Sequence, residues 1–257
     1  QAEEFPNIGE TKGEDQIVIH ADLLKDMIRK TSFSASIDES KGIIVGVLIE
    51  MEEEALHMVA LDGFRMAVAK EAIKNEKKKK IIVSARILNE INKIISESDH
   101  EKEISLFLEE KKAVILVGDT KIVLRLLEGD FIKYRDIIPK EHKSRVIIKR
   151  EEFLESIERA SLLAKEGKNN LIRLSIVRDK IIITSRSEEG NVKEELFIDK
   201  NGEDLEIGFN SKYLLDVLKA VSEEEIAMEF NSSVTPCLIK PVEGEQYLYL
   251  VLPVRIS

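Results

Sequence analysis

Apolar positions along the chain repeat one arrangement four times. A short β-branched run precedes a helical pattern whose first turn carries two adjacent apolar residues and a third apolar residue three positions on. The four sets are Leu23-Leu24 with Met27, Ile87-Leu88 with Ile91, Phe153-Leu154 with Ile157, and Tyr213-Leu214 with Val217, at spacings of 64, 66 and 60 residues. This pattern predicts four helices in four units of similar length.

Alternating apolar and polar residues follow each helix in runs of strand length. After the first helix, GIIVGVLIEMEEEALHMVALDGFRMAVAK predicts three strands with turns near Glu52-Glu53-Glu54 and Asp62-Gly63. The later runs predict turns at Glu110-Lys111, Gly118-Asp119, Arg178-Asp179, Asn231-Ser232 and Glu243-Gly244. The predicted unit is therefore a strand, a helix and three strands, about 60 residues long.

The four units are expected to pair into two domains, because a unit with one helix has too small a core to be stable alone. A proline and a charge cluster interrupt the pattern in PKEHKSRV, residues 139–146, which predicts domains at 13–140 and 141–257. Each sheet has one apolar face and each helix one apolar stripe. The expected fold is α+β and pseudo-symmetric, with the sheets in an outer layer and the helices on one side.

Composition indicates a globular protein of a reducing compartment. The chain has 257 residues, 43% of them hydrophobic, which is enough for two ordinary cores. The single cysteine, Cys237, cannot form an internal disulfide, and Gln1-Ala2-Glu3-Glu4 lacks the features of a signal peptide. No apolar stretch approaches the roughly 20 residues that span a bilayer. We therefore expect a cytoplasmic protein.

Catalytic and metal-binding patterns are weak in this sequence. The histidines, His20, His57, His100 and His142, have neither an i, i+4 pair nor a neighbouring Cys ligand, so no metal site is expected. The GDTK stretch at 118–121 lacks the spacing of a phosphate loop and joins two predicted strands. We expect no cofactor and no catalytic residues, and the sequence favours a binding or scaffolding role.

The stretch ALDGFRMAV, residues 60–68, supports two interpretations. An Asp-Gly pair between alternating runs is a strong hairpin signal, because Gly63 tolerates the positive φ that the turn requires. Bulky apolar residues nevertheless crowd this turn, with Leu61 before it and Phe64 and Met66 after it. A turn with large apolar neighbours is also typical of a binding edge.

Several stretches, in order along residues 17–257, resemble the bacterial DNA polymerase III sliding clamp, the β subunit family. ALDGFRMAV is similar to the family's Thr-Asp-Gly-His-Arg-Leu-Ala-Val signature, and YLYLVLPVRIS is similar to its closing Met-Pro-Met-Arg segment. IGFNSKYLLDVL resembles its last helix, and EGDFIKYRDIIP its Gly-Arg-Phe-Pro-Asp-Tyr segment. The opening AEEFPNIGE resembles the linker between the family's first and second domains.

The resemblance implies a fragment that holds the second and third domains of a three-domain clamp, with residues 1–12 as residual linker. Such clamps close as dimeric rings around duplex DNA, and a chain without the first domain is expected to be monomeric or to associate differently. The two-domain clamp of archaea and eukaryotes, which closes as a trimer, is the alternative. The LPVR ending and the DGFR turn favour the bacterial form.

The resemblance also implies a groove between the two domains that binds apolar tail peptides. Its partners would be the polymerase III catalytic subunit, the clamp loader, other polymerases and repair proteins. The positions that match the family's groove are Ile44, Leu61, Gly63, Phe64, Arg65, Met66, Ile132, Ile137, Tyr213, Pro236, Leu250, Val251, Leu252, Pro253, Val254 and Arg255. Four of them or their neighbours depart from the family pattern, namely Leu61, Phe64, Ile132 and Asp136. These departures predict a groove that is more apolar and less basic at its rim.

The family's helices line the inner face of the ring, which implies DNA-facing cations on all four helices. These are Lys25, Arg29, Lys30, Arg86, Lys93, Arg150, Arg159, Lys212 and Lys219. The net charge of −10 argues against a protein that coats nucleic acid, but a ring holds DNA topologically and requires only weak phosphate contact. The run KNEKKKK at 74–80, which includes Lys77–Lys80, is placed in a connection.

The sequence therefore predicts a non-catalytic DNA sliding clamp, a processivity factor of the replicative polymerase. Two other functions stay open. A hydrolase site among the carboxylates would require a tightly bound divalent metal, whereas a repeat scaffold unrelated to replication would have the same four units but no affinity for polymerase tails.

Overall fold

The computed structural model describes residues 15–74, 78–95, 102–109 and 111–256, which contain seventeen strands and four α-helices. The first unit comprises β1 (Asp15–His20), α1 (Ala21–Thr31), β2 (Gly46–Met51), β3 (Leu56–Leu61) and β4 (Arg65–Glu71). The second comprises β5 (Lys79–Ser84), α2 (Ala85–Ile94), β6 (Glu103–Leu108), β7 (Lys112–Val117) and β8 (Thr120–Arg125). The third comprises β9 (Ser144–Lys149), α3 (Arg150–Ala164), β10 (Leu171–Val177), β11 (Lys180–Ser187) and β12 (Gly190–Phe197). After β13 (Asp199–Gly202), the fourth comprises β14 (Leu205–Asn210), α4 (Ser211–Ala220), β15 (Glu225–Phe230), β16 (Cys237–Pro241) and β17 (Tyr247–Val251).

The four predicted units of strand, helix and three strands are all present. Two strands carry no pattern that locates them in the sequence, β12 and the short β13. Partly buried and exposed residues alternate along β12, but Glu194 takes an inner position between Val192 and Leu196, so the sequence lacks the apolar alternation that marks a half-buried strand. The predicted linker at 1–12, Glu110 of one predicted turn, and His100 lie outside the described residues.

Each helix buries the apolar stripe that predicted it. The fourth residue of every helix is buried: Leu24, Leu88, Phe153 and Leu214. In α1, α2 and α4 this is the second member of the apolar pair, whereas in α3 it is the first member. Helix α3 starts one residue earlier relative to its pair, so Leu154 is only partly buried.

Units pair into domains by exchanging their first strands. Strand β1 of the first unit joins the sheet β1-β6-β7-β8, and β5 of the second unit lies beside β2 in the sequence β4-β3-β2-β5. In the same way β9 lies beside β15, and β14 completes the sheet β12-β11-β10-β14. A single unit thus has an incomplete sheet, which explains why the units occur in pairs.

One nine-stranded sheet runs through both domains in the order β13-β9-β15-β16-β17-β4-β3-β2-β5. The two halves join where β17 pairs antiparallel with β4, with Leu250 opposite Met66 and Val251 opposite Arg65. The hairpin of residues 60–68 therefore lies at the junction between the two domains. No helix in the described part of the chain is long and apolar enough to cross a membrane.

Three apolar cores follow from this arrangement. One core surrounds α1 and α2 and a second surrounds α3 and α4, each enclosed by two sheets. The third, here called the outer cluster, contains Leu48, Val59, Leu61, Met66, Ile82, Tyr134, Leu238 and Leu250. Strand alternation places this cluster on the face of the nine-stranded sheet opposite the helices.

Candidate partner-binding site

The hairpin turn between β3 and β4 is held by the carboxylate of Asp62. Its Oδ1 accepts hydrogen bonds from the backbone N–H groups of Phe64, at 2.8 Å, and Arg65, at 3.1 Å. Gly63 has φ of +95°, and a Cβ at this position would meet no other atom within 4 Å, so the backbone conformation and not crowding favours glycine there. The hairpin interpretation of ALDGFRMAV is confirmed, and the turn leaves Phe64 54% exposed.

The outer cluster is built by one row of leucines and a methionine across four strands. Leu61 lies opposite Met66, Met66 opposite Leu250, and Leu250 opposite Leu238. The row therefore crosses the domain junction on the outer face of the sheet. These four side chains are at most 5% exposed, and partly buried residues such as Ile44 and Leu252 pack against them. The row is the floor of the candidate groove.

The partly exposed walls of the groove come from both domains. Phe64 stacks on Tyr213 of α4 with ring centroids 6.4 Å apart, and Lys41 Nζ lies 5.8 Å from the Phe64 ring centroid. The Leu252 N–H donates to the Phe64 carbonyl at 2.9 Å. Two residues later, the Val254 N–H donates to the Gly208 carbonyl at 2.8 Å. The chain after β17 thus connects the turn of one domain to β14 of the other.

Arg65 is placed differently from the other members of the set. It is only 8% exposed and lies on the helix side of the sheet. Its guanidinium donates to Asp62 Oδ2 at 3.1 Å, to Asp216 Oδ2 at 2.5 Å and to the Phe33 carbonyl at 2.7 Å. It also lies 4.6 Å from the Tyr213 ring centroid. Arg65 is therefore occupied by neighbours from both domains and is not a free cation at the groove edge.

Two further positions of the groove set differ from the sequence-based expectation. Val251 is fully buried in the core around α3 and α4, because strand alternation turns it away from Leu250 and Leu252. Val251 therefore faces the core and not the outer face of the sheet, where the candidate groove lies. Met66 belongs to the groove floor but is only 1% exposed, so a charged residue there would disrupt packing before it affected a ligand.

The segment between the domains supplies exposed isoleucines beside the floor. Ile132 and Ile137 are about half exposed, while their neighbours Phe131 and Ile138 pack against the outer cluster. Ile132 also lines an open cleft of about 1290 Å³ between this segment, β5 and the Leu48 side of the outer cluster. Of the remaining members of the set, Pro236 and Pro253 are partly buried, and Arg255 is exposed.

A buried carboxylate attaches this segment to the sheet. Glu50 Oε2 lies 2.7 Å from Arg135 Nη2 and accepts a hydrogen bond from Tyr134 Oη at 2.8 Å, while Lys80 Nζ lies 2.6 Å from Oε1. Burial by itself would raise the pKa of Glu50, but the hydrogen bonds from these three residues outweigh burial and lower the pKa to about 2. Burial raises the pKa of the Tyr134 hydroxyl, and its bond to Glu50 raises it further.

The same cluster contains the one group of potential metal ligands in the described residues, Glu50, Glu52 and His57. Arg135 Nη2 is 2.7 Å from Glu50, 2.9 Å from Glu52 and 3.2 Å from His57 Nδ1. The guanidinium thus takes the position that a cation would need. Burial lowers the pKa of His57, which favours its neutral form beside Arg135.

The helix cations of the expected DNA-facing set fall into two groups. Six of them are exposed, namely Arg29, Arg86, Lys93, Arg159, Lys212 and Lys219. Lys25 is partly buried and donates to the Ile95 carbonyl at 2.9 Å. Lys30 is only 7% exposed and pairs with Asp26, and Arg150 donates to the carbonyls of Glu223 and Leu218. Lys30 and Arg150 are therefore held by contacts within the protein, and Arg150 is bound to its own domain.

The lysine run at 74–80 is only partly a connection. Residues 75–77 lie outside the described part of the chain. Lys78 Nζ lies 3.1 Å from Glu53 Oε1. Lys79 and Lys80 are the first two residues of β5, and the Lys80 ammonium forms an ion pair with Glu50. The assignment of the whole run to a connection was wrong for these two residues.

Three residues of the site were not identified from the sequence. Leu238 completes the floor, but its run CLIKP does not reveal which of Leu238 and Ile239 faces outward. Lys41 reaches the Phe64 ring from a kinked 3-10 helix, Glu39–Val45, which no pattern in the sequence predicted. Asp216 could have been found, since it lies three residues after Tyr213 on a helix and so shares its face.

Family models match almost the whole described chain. The central domain of the DNA polymerase III beta subunit matches residues 18–133, and the C-terminal domain of the same subunit matches residues 135–255.

Individual relatives agree with this result. The chain is 34% identical to a beta sliding clamp of Staphylococcus epidermidis and 35% identical to one of Staphylococcus aureus, covering 98% of this chain and 67% of each relative. A sliding clamp structure from Bacillus subtilis superposes with a TM-score of 0.95 at 33% identity, over 100% of this chain and 68% of that one. A sliding clamp of Pseudomonas aeruginosa bound to griselimycin gives 0.92 at 27% identity, over 99% and 69%.

Proposed function

The chain belongs to the family of DNA polymerase III beta subunits, and on that premise we propose that the surface above its outer cluster binds the tail peptides of replication proteins. The function of the chain is that of a bacterial sliding clamp, a non-catalytic processivity factor in DNA replication. The family implies DNA and a polymerase as partners and assembly into a ring. The matched relatives do not favour the two-domain trimeric clamp as an alternative.

One observation carries the peptide-binding proposal. Partly exposed side chains of both domains meet at the domain junction: Ile44 and Leu252 pack against the buried apolar floor, and Phe64 stacks on Tyr213 beside it. An apolar surface with an aromatic edge suits the leucine and phenylalanine side chains of a short peptide. A clamp of this fold, that of Pseudomonas aeruginosa, also binds a ligand, griselimycin.

The proposed contact residues are the partly exposed members of the set. They are Ile44, Gly63, Phe64, Ile132, Ile137, Tyr213, Pro236, Leu252, Pro253, Val254 and Arg255. Leu61, Met66 and Leu250 support them from the floor, and Val251 is left out. Specific partners are the polymerase catalytic subunit, the clamp loader and repair proteins that carry such tails.

Peptide binding is tested by fluorescence anisotropy with a labelled peptide of the Gln-Leu-x-Leu-Phe type. The wild-type chain should bind it saturably, and Leu252→Glu should weaken binding by at least about 2 kcal/mol, as expected for a central apolar contact. Phe197→Glu is the control, because Phe197 is an exposed apolar residue on β12, away from the junction. Absence of binding by the wild-type chain would refute the proposal.

DNA contact is proposed for the exposed cations on the helices. Three helices have a formal charge of +1: α1, with three basic and two acidic residues, and α2 and α4, each with two basic residues and one acidic residue. Helix α3 has a formal charge of −2, with two basic and four acidic residues. Arg159 of α3 is also held by Glu194 at 2.8 Å. We therefore propose that α1, α2 and α4 provide the phosphate contacts, mainly through Arg86 and Lys212, which have no ion-pair partner among the described residues. Arg29, Lys93 and Lys219 are exposed on the same helices but are each paired with a carboxylate.

The domain division and the cellular location are also proposals. We place the domain boundary near residue 140, within the segment between Arg125 and Ser144 that connects β8 to β9. A cytoplasmic location is proposed because the one cysteine, Cys237, is buried and free, as suits a reducing compartment where the chromosome is replicated.

A further inference from the structure

We infer that Arg65 is a positioning residue of the groove, which sets the separation of its two walls through Asp216 and does not contact the bound peptide. This inference rests on the proposed peptide-binding function and deepens it. It also changes the role that the resemblance implied for Arg65, which was that of a groove-lining residue.

The hydrogen-bonding capacity of Arg65 is largely used within the protein. Its Nε, Nη1 and Nη2 atoms each donate, to Asp62, to Asp216 and to the carbonyl of Phe33. The guanidinium carbon lies 4.6 Å from the Tyr213 ring centroid and 5.3 Å from that of Phe33. With its side chain 7% exposed, Arg65 has little surface left for a ligand.

These contacts cross the domain junction. Asp62, Phe33 and Arg65 belong to the first domain, whereas Asp216 and Tyr213 lie on α4 of the second. The carboxylates of Asp62 and Asp216 compensate the buried charge of Arg65, so removal of Asp216 would leave the guanidinium under-compensated. The pair therefore holds α4 at a defined distance from the hairpin turn.

The position of α4 determines one wall of the groove. Asp216 and Tyr213 are three residues apart and share a face of the helix, so the ion pair at Asp216 also orients the Tyr213 ring. That ring stacks on Phe64, the neighbour of Arg65 in the turn, at 6.4 Å. A movement at the Arg65–Asp216 pair would therefore change the spacing between Phe64 and Tyr213, where the peptide is proposed to bind.

The test is a double-mutant cycle on peptide affinity, measured by anisotropy with the same labelled peptide. Asp216→Asn and Arg65→Lys should each raise the peptide Kd about tenfold, and the double variant should raise it little beyond either single variant. Asp216→Glu keeps the charge but lengthens the side chain, and it should also weaken binding. Glu158→Gln, which removes the partner of Lys219 on the same helix within one domain, should leave the Kd unchanged.

The variant Ile183→Val distinguishes a general loss of stability from a positioning role. Ile183 is buried in the core around α3 and α4, so this variant should lower Tm without changing the peptide Kd. Direct contact between Arg65 and the peptide would give a raised Kd for Arg65→Lys but an unchanged Kd for both Asp216 variants, and this result would overturn the inference. Failure of the wild-type chain to bind the peptide would instead overturn the proposed function, and the inference with it.

Discussion

Phe64 is exposed at the mouth of the groove, between the Lys41 ammonium and the Tyr213 ring. Because more than half of the side chain is exposed, Phe64→Ala should change the free energy of unfolding by no more than about 0.5 kcal/mol. The same change should weaken peptide binding about tenfold, since the aromatic edge of the groove is lost. Anisotropy gives the Kd and chemical denaturation gives the stability.

Phe197 provides a closely matched control for Phe64. It too is an exposed phenylalanine with a lysine, Lys180, over its ring at 5.2 Å. It lies at the end of β12, which is an edge strand of a different sheet. Phe197→Ala should leave the peptide Kd unchanged, and equal losses in the two variants would mean that Phe64 has no specific part in binding.

Glu50 makes the stability of the chain sensitive to acid. Its pKa is lowered in the folded state from 4.5 to about 2, so the stabilisation is fully present above pH 4.5 and is lost as the pH falls toward 2. Glu50→Gln should reduce the free energy of unfolding at pH 7 by about 2 kcal/mol. This is less than removing a partner from a fully buried pair costs, because Arg135 and Lys80 reach solvent.

Urea denaturation of wild-type and Glu50→Gln chains at several pH values checks this prediction. The difference in stability between the two should be constant above pH 4.5 and should shrink below it. His57 also lowers the stability of the folded chain as the pH falls, but at higher pH than Glu50 does. Burial lowers the pKa of His57 below 6.5, so its protonation favours the unfolded chain. A His57→Gln background therefore isolates Glu50, and a difference that is independent of pH would contradict the assignment.

At the scale of secondary structure, periodicity was sufficient to place the helices and most strands. The alternating buried residues of β10 and β11 and the stripes of the helices leave a clear pattern because each has one face in a core. The exchange of β1 and β5 between units has no such signal, since alternation shows which face of a strand is buried but not which strand lies beside it. Strand β12 alternates partly buried with exposed residues, but Glu194 stands between Val192 and Leu196 on its inner side, so its apolar residues do not alternate in the sequence.

The helices also differ in what they offer to DNA. Arg86 on α2 is exposed and has no ion-pair partner among the described residues, whereas Arg159 on α3 lies 2.8 Å from Glu194. Arg86→Ala should weaken binding of duplex DNA at low salt and reduce the slope of log K against log salt by about 1. Arg159→Ala should change neither quantity appreciably, because its charge is already compensated.

Anisotropy titrations of a labelled duplex at several salt concentrations measure both quantities. Arg173→Ala is a suitable further control, because Arg173 lies on a strand, pairs with Glu206 and is not part of any helix. An equal reduction of the slope by Arg86→Ala, Arg159→Ala and Arg173→Ala would show that the effect follows net charge and not the helix surface.

For the whole molecule, the candidate site shows what a sequence can and cannot predict. The matched stretches placed the groove at the domain junction, because the turn at 62–65 and the closing strand carry distinctive residues. They could not show that Val251 faces the core while Leu250 and Leu252 face the outer cluster. Which side of the sheet each residue faces depends on the register of β17 with β4. They also could not show that Arg65 is buried, because Asp216 lies 151 residues away in the sequence.

Contacts across the junction continue from the groove to the first helix. The Phe33 ring lies beside the Arg65 guanidinium and beside the Tyr249 ring. The Tyr249 ring lies beside the Tyr247 ring, and Lys30 Nζ is 5.8 Å from the centroid of the Tyr247 ring. The nine-stranded sheet crosses the same junction through β4 and β17. The two domains therefore share both backbone hydrogen bonds and side-chain packing, which is the basis for expecting them to unfold together.

Two core variants far from the junction test this cooperativity. Ile115→Ala lies in β7 of the first domain and Ile183→Ala in β11 of the second, each buried in its own core. Each should cost about 3 kcal/mol, which for a chain of this size lowers Tm by about 6–12 °C. Differential scanning calorimetry should show a single transition in both variants, with equal van't Hoff and calorimetric enthalpies. A second transition that moves in only one variant would mean that the domains unfold independently despite the shared sheet.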